Sequence, residues 1–210
     1  LIFDMDGTIL YTLEDLKNTT NYALNEHGFP ERTLEEVRRF VGNGIHKLIE
    51  RAVPEGTSDA DIEAVFTTFE IYYKDHCMDT TRPYDGINDL LMKLRAKGYM
   101  TAVVSNKVDS AVQDLVKDFF AGQFDIAIGE REGVRKKPAP DSVYEVTKEF
   151  NLSKDDVIYI GDSDTDIATA SNAGVDCIGA CWGFRGRAFL EAHGAKLLAE
   201  TVGDIWKLIK

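Results

Sequence analysis

Residues 157–179, VIYIGDSDTDIATASNAGVDCIG, contain a complete strand–helix–strand unit. Residues 157–160 are a short, largely β-branched run of the kind found in buried strands, and residues 175–179 predict the next strand. Between them, Asp164–Ala173 has the composition of a helix that follows an acidic turn. Two such strands joined by a helix are expected to run parallel in one sheet, as in a βαβ unit.

The same alternation extends over most of the chain. Strands are predicted at residues 1–5, 99–104 and 124–128, and helices at residues 109–118 and 141–150. Apolar strands that alternate with helices are typical of a parallel sheet covered on both faces. The predicted fold class is therefore α/β, with a doubly wound parallel sheet.

The N-terminal third of the chain breaks this rhythm. Residues 13–79 contain no convincing strand, only amphipathic helical segments separated by glycine and proline, and residues 59–78 predict one long helix. A block made only of helices, inserted after the first strand, predicts a separate lobe. We expect an α/β catalytic core formed by residues 1–12 and 81–210, and an all-helical cap formed by residues 13–80.

Charge and composition narrow the classes of partner. The 210 residues carry 24 Lys plus Arg against 36 Asp plus Glu, a formal net charge of −12. An acidic protein repels nucleic acid and anionic membranes, and no apolar run approaches the ~20 residues of a membrane span. Three cysteines without a CxxC pair predict free thiols in a reducing cytosol. We expect a cytoplasmic protein, monomeric or homodimeric, with no nucleic-acid or membrane partner.

Polar residues follow the predicted strands, where ligands bind in open α/β sheets. Asp4 and Asp6 are two residues apart at the end of the first strand, so both side chains can face one crevice, although such a pair alone also suits a solvated turn. Later strand ends and loops add a hydroxyl, an amide, lysines and a second acidic pair: Ser105, Asn106, Lys136, Lys137, Asp162 and Asp166. Two carboxylates held this close together either repel each other or share a cation.

These motifs, in this order, resemble those of the haloacid dehalogenase-like hydrolase superfamily, and the resemblance covers essentially the whole chain. They are Asp4-Met5-Asp6-Gly7-Thr8, Ser105, a lysine before a proline, and a Gly161-Asp162 turn that continues to Asp166. Within the predicted cap, residues 39–44 (RFVGNG) resemble the phosphoglycolate phosphatase branch, as do residues 181–185 (CWGFR). One departure is Tyr11, where many relatives carry an acidic residue.

The resemblance implies a phosphatase that works through an aspartyl-phosphate. It makes Asp4 the nucleophile and Asp6 the general acid and base. It also implies that Ser105, Asn106 and Thr8 bind the phosphate and that Lys137 neutralises it, with Lys136 competing for this role. The implied cofactor is Mg²⁺, held by the Asp4 carboxylate, the Asp6 backbone carbonyl and Asp162, with Asp166 behind them.

The expected substrate is a small-molecule phosphate ester, with 2-phosphoglycolate as the named candidate. Gly42-Asn43-Gly44 precedes a predicted helix, so its backbone amides can form an anion site, with Arg39 as a supporting charge. From the local sequence alone, the glycines serve equally well as a tight turn. The alternatives are a sugar phosphomutase, an inorganic pyrophosphatase of the same superfamily, and a non-enzymatic binding protein on this fold.

Overall fold

The chain divides into two compact units in the computed structural model, which describes residues 1–209. One unit comprises Leu1–Leu10 and the chain from Pro83 onward, and the other comprises Tyr11–Arg82. The second unit is therefore an insertion into the sequence of the first. Two short strands, β2 (Leu10–Tyr11) and β3 (Arg82–Pro83), pair where the chain passes between the units.

The first unit is built on a six-stranded parallel sheet, which confirms the predicted α/β fold class. The strand order is β5-β4-β1-β6-β7-β8, and every pairing is parallel. The strands are β1 (Ile2–Phe3), β4 (Ala102–Val108), β5 (Ile126–Glu130), β6 (Ile158–Gly161), β7 (Asp176–Ala180) and β8 (Leu197–Ala199).

Helices flank this sheet and are amphipathic, as their position requires. They are α5 (Ile87–Ala96), α6 (Asp109–Phe119), α7 (Asp141–Glu149), α8 (Asp164–Ala173), α9 (Arg187–Ala192) and α10 (Val202–Leu208). Side chains of α7 and α8, such as Val143 and Ala170, join Ile2, Val104 and Tyr159 of the sheet in one buried cluster. The helices thus shield one face of the strands that carry the candidate site.

The order of the strands places the functional edge at β1. The chain continues from β1 to β4 on one side, and later reaches β6 on the other side. In open α/β sheets, the crevice at such a reversal of strand order is where ligands bind. The carboxyl ends of β1, β4 and β6 are therefore neighbours at one edge of the sheet.

The boundaries of the predicted strands differ from those in the structure by one to four residues, and the largest differences are in β4. Tyr99 and Met100 precede β4 rather than begin it, because Gly98 adopts a φ of +80° and the Tyr99 N–H donates to Leu94 O, 3.1 Å away, closing the end of α5. At its other end β4 continues to Val108, so that the Ser105–Asn106–Lys107 segment lies within the strand. The edge strand β8 was not predicted, because its three residues are too few to show a pattern.

The inserted unit is helical, as predicted. Its helices are α1 (Leu13–Glu26), α2 (Leu34–Phe40), α3 (Ile45–Ala52) and α4 (Asp59–His76). The apolar side of α4 is its inner face, since Val65, Phe69 and Tyr73 are buried. Leu24 of α1 and Leu48 of α3 are also fully buried in this chain.

A buried carboxylate joins the two ends of the inserted unit. Asp15, in the first turn of α1, accepts hydrogen bonds from the backbone N–H and the hydroxyl of Thr80 at 2.6–3.1 Å. It also accepts one from the Thr81 N–H at 2.8 Å. Tyr11, which stands where many relatives carry an acidic residue, is four residues before Asp15. The Arg82 guanidinium stacks over its ring, 4.6 Å from the ring centroid. Polar contacts therefore fasten the ends of this segment.

Two further expectations concern cysteines and membranes. Cys77, Cys177 and Cys181 are free thiols, as predicted. Across residues 1–209, no helix has the length and apolarity needed to cross a membrane.

Replacement of Asp15 by alanine is expected to destabilise the inserted unit. The change removes the buried acceptor shared by the half-buried donors of Thr80 and the buried Thr81 N–H, so we expect a loss of about 2–4 kcal/mol in the free energy of unfolding. Urea denaturation followed by circular dichroism measures this loss. The matched control is Asp75→Ala, at an exposed position of α4, with an expected change of about 0.5 kcal/mol or less. Equal effects of the two substitutions would contradict the role given to Asp15.

Candidate active site

Three buried carboxylates converge at the edge of the sheet. Asp4 follows β1, Asp162 follows β6, and Asp166 lies in the first turn of α8. One oxygen atom of each lies within 4.8 Å of the others, and all three side chains are buried. The structure thus brings together both predicted acidic motifs, although 158 residues of sequence separate Asp4 from Asp162.

A single lysine enters this cluster. Lys137 Nζ lies 2.6 Å from Asp4 Oδ1 and 2.8 Å from Asp166 Oδ1, and its side chain is buried. Lys136 instead pairs with Glu130 at the surface, at 3.4 Å. Of the two lysines that the sequence left in competition, the one beside the proline contacts the predicted nucleophile.

The loop that carries Lys137 is held by Asn106. The Asn106 side chain donates to Lys137 O at 3.0 Å and accepts from the Lys137 N–H at 2.8 Å. The nitrogen and the oxygen of the Asn106 side-chain amide are therefore both hydrogen-bonded to the backbone of Lys137. In this structure Asn106 positions Lys137, and its expected contact with phosphate stays a prediction.

Each carboxylate of the second pair is oriented by backbone N–H groups. Asp162 Oδ2 accepts from the Phe184 N–H at 2.6 Å, and Oδ1 lies 3.4 Å from the Thr8 hydroxyl. Asp166 Oδ2 accepts from the Ser163 hydroxyl at 2.6 Å and from the Ser163 N–H at 3.1 Å, which forms a capping box at the start of α8. Their directions are fixed before any ligand binds.

Three glycines pack so closely against these carboxylates that a side chain at any of them would overlap the acidic groups. A Cβ atom at Gly161 would lie 2.3 Å from the Cβ and Cγ atoms of Asp166. A Cβ atom at Gly183 would lie 2.3 Å from the Cβ of Asp162, and one at Gly7 would meet the carboxylate of the same aspartate at 2.4 Å. Side chains at these three positions would displace the acidic cluster.

The remaining predicted core residues lie at the same edge. Thr8 and Ser105 are buried, and the Ser105 hydroxyl accepts from the Lys107 N–H at 3.2 Å. Asp6 is partly exposed, and its Oδ1 forms an ion pair with Lys107 Nζ at 3.3 Å. Lys107, which the sequence analysis did not select, is a second buried lysine within this edge.

Burial and mutual repulsion shift the pKa values of the cluster. Burial, together with the neighbouring Asp166 carboxylate, raises the pKa of Asp4 to about 7. The same two causes raise the pKa of Asp162 well above its usual value. Burial alone would lower the pKa of Lys137, but the Asp166 and Asp4 carboxylates outweigh it and raise that pKa well above its usual range. The protein by itself therefore does not stabilise all of these carboxylates as anions.

The donor set fits a divalent cation. Four carboxylates (Asp4, Asp6, Asp162 and Asp166) face two ammonium groups (Lys107 and Lys137), so these six groups alone carry two surplus negative charges when ionised. A divalent cation neutralises such a surplus and favours the charged carboxylates. Oxygen donors are also the ligands that Mg²⁺ prefers. Within residues 1–209, no other cluster of three acidic, histidine or cysteine side chains has suitable spacing for a metal ion.

The predicted anion site belongs to the helical unit. Gly42 and Gly44 adopt φ angles of +120° and +88°, and Gly44 directly precedes α3. Arg51 donates to Asn43 Oδ1 at 2.8 Å and to Phe40 O at 2.6 Å, which holds the glycine loop against α3. Arg39 is exposed and lies 3.4 Å from Glu35 in an i, i+4 ion pair.

Comparison of the whole sequence with known protein families gives a match over most of the chain. The family model of the haloacid dehalogenase-like hydrolases matches residues 1–180. The chain belongs to this family. The resemblance that its sequence shows is thereby confirmed.

Relatives of this haloacid dehalogenase-like protein include phosphoglycolate phosphatases. Those of Pseudomonas putida and Pseudomonas aeruginosa are 30% and 31% identical to it, over 96% and 98% of this chain and 76% and 77% of their own. A crystal structure from Lactobacillus delbrueckii subsp. bulgaricus, provisionally named phosphoglycolate phosphatase, has a TM-score of 0.95 and 40% identity, and covers 99% of this chain and 96% of its own. The expected class of enzyme, a phosphatase, is confirmed by these relatives.

Sequence reasoning missed several residues that shape the site. Ser163 precedes α8 and forms a capping box with Asp166, a pattern that is visible in the sequence. Lys107, Tyr159 and Phe184 left no comparable signal, since each acts on residues distant in the sequence.

Replacement of Gly161 by alanine is expected to disturb the cluster. The new methyl group would overlap the Asp166 side chain, so we expect the free energy of unfolding to fall by about 1–3 kcal/mol. Chemical denaturation measures this change. The control is Gly203→Ala in α10, where the Cβ atom meets nothing closer than 3.8 Å and should be neutral or stabilising. A Gly161→Ala protein as stable as this control would refute the overlap.

Proposed function

We propose that this chain is a Mg²⁺-dependent phosphomonoester hydrolase in which Asp4 is the nucleophile. The observation that supports this most directly is the 2.6 Å contact between Asp4 Oδ1 and Lys137 Nζ within a buried acidic cluster. A carboxylate held beside a fixed ammonium group can approach a phosphate dianion that it would otherwise repel. The carboxyl group of Asp6, two residues further on, supplies the proton transfers that hydrolysis requires.

The reaction proceeds in two displacements at phosphorus. An Asp4 oxygen forms a bond to phosphorus while the ester P–O bond breaks, and Asp6 gives its proton to the leaving oxygen. Asp6, now ionised, takes a proton from a water molecule that attacks phosphorus. The Asp4–phosphorus bond then breaks, and inorganic phosphate and free Asp4 are released. Lys137 neutralises charge in both steps, and Ser105 donates a hydrogen bond to the phosphoryl group.

The metal belongs to the same proposal. The Asp4 carboxylate, the Asp6 backbone carbonyl and Asp162 are the groups that would hold Mg²⁺, and Asp166 would orient the cation's water ligands. The cation supplies further positive charge beside the transferring phosphoryl group. Three buried carboxylates at one point support this assignment.

The inserted helical unit is proposed as the cap that selects the substrate. The proposed substrate is a small phosphorylated carboxylic acid, with 2-phosphoglycolate as the leading candidate, because the relatives named above carry that activity in their names. Backbone N–H groups before a helix attract anions, and Gly42, Asn43 and Gly44 occupy that place before α3. The Arg51 contacts, which hold this loop, support a fixed carboxylate site there.

Asp4→Asn is expected to abolish phosphate release, because it removes both the nucleophile and a negative charge of the metal site. Release of inorganic phosphate from a simple ester in the presence of Mg²⁺ is the measurement, with excess chelator as the metal-free arm. The exposed Asp176→Asn variant is the matched control and should retain full activity. Turnover by Asp4→Asn within about tenfold of wild type, a barrier change of only ~1.4 kcal/mol, would refute the covalent role.

A substrate panel tests the cap assignment. A hydrogen bond to a charged group contributes ~1.5–3 kcal/mol, so 2-phosphoglycolate should exceed ethyl phosphate by at least about tenfold in kcat/KM. Gly44→Val should shrink this ratio, because a bulky side chain at a φ of +88° distorts the loop. The control is Gly56→Val, at a φ of +84° in the same unit but with no atom within 4 Å of its Cβ. Equal turnover of the two esters would remove the carboxylate assignment and leave the phosphatase chemistry standing.

A further inference from the structure

A tyrosine hydroxyl lies beneath the acidic cluster, in a place that the mechanism above does not use. Tyr159 is in β6 and is fully buried. Its hydroxyl lies 3.0 Å from Lys137 Nζ, 3.3 Å from Asp166 Oδ1 and 3.3 Å from Val104 O. One oxygen atom therefore joins three separate parts of the site: the lysine loop, the start of α8, and the strand that leads to Ser105.

The Tyr159 hydroxyl accepts one of the hydrogen bonds that the Lys137 ammonium group donates. An ammonium group has three N–H donors, and Lys137 directs its donors at Asp4, Asp166 and Tyr159. Two of these acceptors are carboxylates of the cluster that would hold the cation. The phenol is the neutral partner.

The neutrality of this partner matters during the reaction. The Asp4 carboxylate loses its charge when it bonds to phosphorus, so its attraction for Lys137 weakens at the moment when the lysine must stay in place. Asp166 is shared with the proposed metal site. The phenol oxygen of Tyr159 keeps the same charge throughout.

We propose that Tyr159 is a positioning residue that fixes Nζ of Lys137 beside Asp4 while the charge on Asp4 changes. This inference rests on the proposed function, because it concerns the phosphoryl-transfer step. Tyr159 acts through Lys137 and does not itself touch the phosphoryl group.

The surroundings of Tyr159 make it rigid enough for this role. Its strand position pairs with Ile2 of β1, and its ring belongs to the buried cluster that contains Val104 and Ala170. The phenol has one proton, which it donates either to Val104 O or to Asp166 Oδ1 while it accepts from Lys137. Phenylalanine preserves the ring and removes only the hydroxyl, so it isolates this contact.

Tyr159→Phe is expected to lower kcat at least about fivefold while KM stays within about twofold, because the resting lysine remains bound by two carboxylates. The matched control is Tyr144→Phe in α7, which removes an exposed hydroxyl that donates to Asn172 O and should leave both constants unchanged. Unchanged kcat in Tyr159→Phe overturns the proposal. Thermal denaturation of both variants measures the accompanying change in stability.

A double-mutant cycle separates positioning from packing. In a Lys137→Met background, or Lys137→Gln if the first variant does not fold, a positioning hydroxyl has nothing left to position. Tyr159→Phe should then cause no further loss of activity. A similar fold-loss with and without Lys137 would show that the hydroxyl acts only through the packing of the sheet, and would overturn the proposal.

A binding measurement makes the inference independent of turnover. In the Mg²⁺-loaded protein, Tyr159→Phe should weaken the binding of tetrafluoroaluminate, a mimic of the transferring phosphoryl group, at least about fivefold. The affinity for inorganic phosphate should change less than about twofold in the same variant. Calorimetry measures both. If the wild type hydrolyses no phosphate ester, the proposed function fails, yet this ratio still supports or refutes the role of Tyr159.

Discussion

The ammonium group of Lys137 lies between the buried carboxylates of Asp4 and Asp166, and the arrangement of the whole site follows from that contact. A buried charge without a partner is strongly destabilising, so each of these groups requires the other two to be in place. Asp4 follows the central strand β1, Asp166 belongs to α8, and Lys137 lies on the loop before α7. The electrostatic requirement therefore fixes three distant parts of the chain relative to one another.

Backbone N–H groups and closely packed glycines determine the positions of the other carboxylates in the cluster. Asp162 and Asp166 accept hydrogen bonds from the backbone N–H groups of Phe184 and Ser163, so the main chain contributes to the direction of each carboxylate. Gly161 and Gly183 lie where any side chain would overlap these carboxylates. The surplus negative charge that results is costly without a cation, and the raised pKa of Asp4 reflects that cost. The same surplus of negative charge makes the cluster suitable for a divalent metal ion.

The two units of the chain carry different parts of the proposed chemistry. The α/β unit holds every group assigned to phosphoryl transfer, on strand ends and on the first turn of a helix. The helical unit is inserted between β2 and β3, and its ends are fastened by the hydrogen bonds of Asp15. An insertion of this kind can vary in sequence without altering the reacting groups. In the proposed function this unit therefore selects the substrate, through the loop before α3.

The sequence by itself determined the α/β class and the residues at the strand ends, because hydrophobic periodicity and cap residues are local patterns. Asp164–Ala173 was predicted with the bounds that the structure shows, and in the structure Ser163 and Gly174 cap its two ends. The resemblance already favoured Lys137 over Lys136, but only the tertiary structure shows its contact with Asp4, and that Asn106, Lys107 and Tyr159 position the groups around it. Tyr159 reaches Val104 across 55 residues of sequence, and Asn106 reaches Lys137 across 31. No local pattern encodes the distance between side chains on separate strands and loops, because that distance is set by how the strands are ordered and packed.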